Sequence, residues 1–129
     1  MSRQNFSSGT KWEPLVGYSR AVRIGSHIFV AGTTAVGEDG KIVGLNDPSR
    51  QTEFIIRKIE NALQRAGAGL KDVVVTRIFV RNIDDWESIG RTHGQFFAEI
   101  RPATTMVEVS RFIEPEMLLE IEAQAVVGH

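Results

Sequence analysis

Apolar and polar positions first alternate clearly around Val22 and Ile24, which flank Arg23, and an apolar run, Ile28-Phe29-Val30, follows the Gly25-Ser26 pair. Two β-rich runs joined by a glycine-containing dipeptide predict a hairpin. The segment "GEDGKIVG" reads as a second turn, leading into a short strand that ends near Leu45. The period then changes. Phe54, Ile55, Ile59, Ala62, Leu63 and Ala66 recur at three- and four-residue steps, the mark of an amphipathic helix. Asp47 or Ser49 is placed to cap its start, with Pro48 in the first turn, and Gly67 and Gly69 end it.

"DVVVTRIFVRNI" is a strong strand, bounded by Asp72 and Asn82. A second helix follows, capped by Asp84 or Asp85, with Trp86, Ile89, Phe96, Phe97 and Ile100 as its apolar stripe. Pro102 stops it. Two strands close the chain. In the last, Leu119, Ile121, Ala123, Ala125 and Val127 point one way, and Glu120, Glu122 and Gln124 the other. The predicted order is β-β-β-α-β-α-β-β. Two helices cannot cover both faces of a sheet this large, so an α+β fold with both helices on one face is expected. The second face must then meet water or another subunit, and that decides whether its glutamates lie in solvent or in a partly buried cleft.

Composition narrows the class. The chain has 129 residues and is read as one domain, 1–129. With no cysteine there are no disulfides, thiolate nucleophiles or cysteine-based metal sites, which fits a reducing cytoplasm. A net charge of -1 gives no global attraction to nucleic acid or anionic membrane. No apolar run approaches the ~20 residues of a spanning helix. Three scattered histidines without ligand spacing argue against a metal site, and no GxSxG, phosphate-loop or GxGxxG motif is present.

Four segments, "GYSRAVRIGSHIFVAG" (17–32), "QTEFIIRKIENALQRAGAGLKDVV" (51–74), "RPATTMVEVSRF" and "LLEIEAQAVV", together resemble the reactive intermediate deaminase (Rid, or YjgF) family over nearly the whole chain. The resemblance implies a chorismate-mutase-like α+β fold with a mixed sheet. It also implies a homotrimer, with helices outside and a cleft for a small-molecule metabolite at each subunit interface. Best-known members hydrolyse reactive imines and enamines to a 2-keto acid and ammonia without a cofactor. Others have been labelled endoribonuclease or translation inhibitor. For that reading the chain offers no basic, aromatic-interleaved surface.

The resemblance also assigns residues. Glu120 matches a cleft glutamate and is the candidate catalytic base or water-positioner. Tyr18 matches a tyrosine bordering the cleft, and Gly32 with Thr33 matches a backbone segment that approaches the ligand. One position departs. Deaminating members carry an arginine after the "PA" that precedes the "VEV" strand, where it grips the substrate carboxylate. Here that position is Thr104. A guanidinium makes two charge-assisted hydrogen bonds to a carboxylate, whereas a threonine hydroxyl makes one neutral bond. The loss is roughly 1.5–3 kcal/mol, so the usual small 2-imino acid is not the expected substrate. Arg91, Arg101 and Arg111 are the candidate replacements. His93, which the family pattern does not demand, is either a hydrogen-bonded core residue or a ligand contact. The alternative to an enzyme is a protein that binds a metabolite without turning it over.

Overall fold

The computed structural model describes residues 2–129. Six strands form one sheet: β1 (Arg3–Phe6), β2 (Ala21–Ile24), β3 (His27–Thr33), β4 (Val73–Val80), β5 (Ala103–Glu108) and β6 (Leu119–Val126). Their spatial order is β1-β2-β3-β6-β4-β5. The β4–β5 pair is parallel and the other pairs are antiparallel, so the sheet is mixed. Three helices accompany it: α1 (Trp12–Val16), α2 (Pro48–Arg65) and α3 (Trp86–Phe97). The longer two, α2 and α3, pack together against a single face.

The expected order holds, but with a different strand in it. Residues 41–45 form no strand; Ile42 makes only an isolated bridge to Val36. The additional strand is β1, an edge strand in the polar N-terminal segment. α1 was also not foreseen.

The core lies between the helices and the sheet. Ile28 and Val30 of β3, Ile78 and Val80 of β4, and Leu119, Ile121, Ala123 and Ala125 of β6 meet Ile55, Ile56, Ile59 and Leu63 of α2 and Ile89 and Phe97 of α3. β6 is buried at every second residue, as its alternation predicts. Trp86, expected on the buried stripe of α3, is 58% exposed. Asp47 caps α2 by accepting from the Arg50 amide at 3.0 Å. Before α3, the capping side chain is Asn82 rather than an aspartate: it accepts from the Asp84 amide at 2.9 Å and starts a short 3-10 turn. Among the described residues, no helix is long and apolar enough to cross a membrane.

Candidate active site

A cleft of about 920 Å³ opens between α1, the ends of β3 and β6, Lys58 of α2 and the segment that leads into β6. Its lining includes Tyr18, Arg20, Gly32, Lys58, Arg111 and Glu120. Three of the expected residues, Tyr18, Gly32 and Glu120, are therefore brought together.

Glu120 takes its place from the β6 alternation. Its neighbours Leu119 and Ile121 are held in the core, so its own side chain must leave on the opposite face. There it lies against Gly32. A Cβ on that residue would come within 2.7 Å of the Glu120 carboxyl carbon and 2.9–3.0 Å of its oxygens. Glycine is needed because of this approach, not because of its backbone angles. Burial pushes the Glu120 pKa up; Arg20 opposes the shift, and Glu122 adds to it. A carboxylate poorly solvated in this way is a stronger base than one in water.

Arg20, just before β2, is 7% exposed. Its Nη1 donates to the Gly32 carbonyl at 2.8 Å and to Thr33 Oγ1 at 2.9 Å. Nη2 has a long 3.4 Å contact to the Tyr18 hydroxyl, whose ring lies over the guanidinium with the centroid 5.6 Å away. Lys58 reaches in from α2 and donates to the Thr34 and Val36 carbonyls, each at 2.9 Å. Burial, with repulsion from Arg20, lowers its pKa to about 8, against a partial offset from Glu13.

The segment before β6 is pinned from below. Gln51, fully buried on α2, donates to the Glu116 and Gly44 carbonyls at 2.9 and 3.0 Å and accepts from the Leu118 amide at 3.0 Å. Arg81 donates to the Pro115 carbonyl at 2.8 Å. This anchoring holds Arg111, Phe112 and Ile113 at the cleft wall.

The other expected residues fall elsewhere. Thr33 does not line the cleft. It is 1% exposed, accepts from Arg20 and donates to the Ala31 carbonyl at 2.8 Å, so it positions the arginine instead. Within one protomer, His93 and Thr104 lie on the opposite side of the sheet from Glu120. The register explains why. Thr104 pairs with Thr76, which pairs with Ala123, and these residues share the helix-covered face, whereas Glu120 pairs with Phe79 on the other. His93 is a buried, hydrogen-bonded residue: its Nε2 is 3.0 Å from Thr76 Oγ1, and its ring packs 4.6 Å from Phe97. Burial lowers its pKa, which favours the neutral ring. Thr76 Oγ1 is in turn 2.8 Å from Thr104 Oγ1, so a buried histidine connects through two hydroxyls to the exposed edge strand β5.

Of the three arginines considered for the missing cation, Arg111 reaches the cleft. Arg91 is paired with Glu87 at 2.6 Å on the exposed side of α3. Arg101 occupies a left-handed turn after α3, with φ 56°. The buried Arg20 and the half-buried Lys58 escaped sequence reasoning. Neither stands in a motif or periodic pattern that marks it in the sequence. The signal that identifies them is tertiary: both face the same cleft.

Residues 9–127 match the family model described as "Endoribonuclease L-PSP". The chain belongs to this family, the YjgF/Rid family. Rv2704 of Mycobacterium tuberculosis, a family member of solved structure, is 51% identical, with a TM-score of 0.89 over 98% of this chain and all of its own. SCO2049 of Streptomyces coelicolor is 36% identical over 94% of this chain and 90% of its own length. The 3-aminoacrylate deaminase RutC of Acinetobacter baylyi is 32% identical over 87% and 88% respectively. The family match over 9–127 spans two segments that contribute to the cleft, "GYSRAVRIGSHIFVAG" and "LLEIEAQAVV".

Proposed function

We propose that this family member hydrolyses a reactive imine or enamine to a carbonyl compound and ammonia in the Glu120 cleft. The observation that carries the reading is the Glu120 carboxylate, which lines the cleft, is given its approach by Gly32, and has its pKa raised by burial. In the reaction Glu120 takes a proton from water as the water oxygen bonds to the imine carbon. Glu120 passes that proton to nitrogen, giving a carbinolamine, and then carries the hydroxyl proton to nitrogen as well; the C–N bond breaks as the C=O bond forms, and ammonia leaves with the carbonyl product. An enamine enters the same route after protonation at carbon. No cofactor takes part. The deaminase name carried by the RutC relative supports the reaction class.

The working form in this proposal is a homotrimer whose clefts lie between subunits. Exposed apolar side chains on the helix-free face, Phe29 and Val107, support it. So does the separation of the expected site residues. Tyr18, Gly32 and Glu120 form one half-site, and the His93–Thr76–Thr104 chain at the β5 edge suits the other half, supplied by a neighbour.

A second reading is a site that binds a metabolite without turning it over. What favours it is Thr104, whose hydroxyl bonds to Thr76 and to the Pro102 carbonyl at 3.1 Å and supplies no charge. The test generates 2-iminobutanoate and bulkier imines in place with an amino-acid oxidase and traps the survivors with semicarbazide. Faster loss with wild type, abolished by Glu120→Gln, is the expected result. Wild type with no effect on any imine, while still binding their keto-acid products, would favour the second reading.

A further inference from the structure

We infer that the Arg20–Lys58 pair is an anion subsite, and that it holds the carboxylate of an imino or enamino acid with its reacting carbon toward Glu120. The inference rests on the hydrolase reading above and names the substrate class within it.

Arg20 and Lys58 come from distant parts of the chain, yet both line the cleft. Neither forms an ion pair with a carboxylate among the described residues. Two cations close enough to repel, and screened from water, are unfavourable unless something anionic completes them. The hydrogen bonds of Arg20 show where the opening lies. Nη1 is committed to Gly32 and Thr33. Nε is buried and has no partner, and Nη2 has only the long contact to Tyr18. The buried Nε is closed to a ligand, so Nη2 is the Arg20 donor left for a carboxylate. Lys58 spends two protons on backbone carbonyls and keeps a third.

The carboxylates nearby do not fill the gap. Glu122 is paired with Arg77 at 3.2 Å. Glu13, on α1, accepts from Ser8 and Thr10. Glu120 lies against Gly32 and feels the charge of Arg20 but makes no ion pair with it. Gly32 joins the two functions: its carbonyl anchors Arg20, and its bare Cα makes room for Glu120. A carboxylate bound on the cations places its own chain beside that base. The charge missing at Thr104 is thus supplied from another part of the fold, so the substrate class remains acidic although the orientation of the acid changes.

The test is direct binding of 2-oxobutanoate and of its methyl ester by calorimetry, to wild type and to Lys58→Gln. Glutamine retains two N–H donors for the carbonyls but not the charge. Wild type should bind the acid at least tenfold more tightly than the ester, and Lys58→Gln should reduce that preference to within about twofold. Arg20→Lys, which keeps charge but loses the Nη2 donor, should fall between them, with circular dichroism confirming that each variant is folded. A wild type without preference for the acid, or a preference untouched by Lys58→Gln, would show that the pair only holds backbone, and the inference would be overturned. Imine turnover without acid preference sinks the inference and leaves the hydrolase reading intact. Acid preference lost in Lys58→Gln, with no turnover of any imine, does the reverse.

Discussion

At Gly32, one hydrogen atom separates a working carboxylate from a displaced one. An alanine there would put a methyl group 2.7–3.0 Å from the Glu120 carboxyl atoms, closer than real contacts allow. Because the obstacle is the end of a flexible side chain, Glu120 would swing away and the backbone would stay. Gly32→Ala should therefore keep its melting temperature within a few degrees and lose at least tenfold in imine hydrolysis, which thermal melts and the trapping assay can check together. Glu13 makes the contrasting case, a carboxylate that serves structure. Burial alone would raise its pKa, but hydrogen bonds from Ser8, Thr10 and Ser7 outweigh that and lower it to about 2. A carboxylate whose pKa is lowered by folding stabilises the fold above its unfolded value, and the contribution fades as pH falls toward the folded one. Glu13→Gln should cost about 1–3 kcal/mol at pH 7. In urea titrations the gap to wild type should narrow as pH falls from about 4.5 to about 2; a gap constant over that range would contradict the assignment.

At the scale of elements, legibility followed the strength of the periodic signal. α2 and β6 were readable because their buried positions repeat at the helical and strand periods, and so the outward side of Glu120 was readable too. β1 was not. Its residues, Arg3-Gln4-Asn5-Phe6, are mostly exposed, and it exists because β2 offers it a free edge. The strand expected near Leu45 failed for the converse reason: Ile42 and Val43 are apolar, but that segment turns and gains only one bridge. Thr33, His93 and Thr104 show a further limit. Which side of the sheet Thr33 and Thr104 join depends on pairing register, which shifts between Val30 and Thr33 beside the cleft, and His93 follows from how α3 packs on the sheet. Gln51 ties α2 to the segment before β6 by three hydrogen bonds. Its removal would leave buried backbone groups unsatisfied, at about 1–3 kcal/mol each. Gln51→Ala should lower stability by roughly 2–4 kcal/mol and speed hydrogen exchange at the Leu118 amide. Unchanged exchange there would mean that the segment is held by other contacts.

For the whole molecule, the proposal needs the helix-free face to be covered. That face mixes exposed Phe29 and Val107 with the Arg77–Glu122 pair, and Leu15 and Ile113 are exposed at 82% and 73%. Sedimentation at micromolar concentration should give the mass of three chains, and Phe29→Asp should shift it toward one chain with loss of activity. An active monomer would remove the shared-cleft part of the account. The reaction itself is tested most directly by the pH dependence of kcat/KM for imine hydrolysis, wild type beside Glu120→Gln. Desolvation raises the Glu120 pKa above its ordinary value of 4.5, so a base in that environment should lose activity as pH falls through a value higher than 4.5. The account predicts this acid limb in wild type and its loss, together with most of the rate, in Glu120→Gln. A wild-type profile that Glu120→Gln leaves unchanged would contradict it.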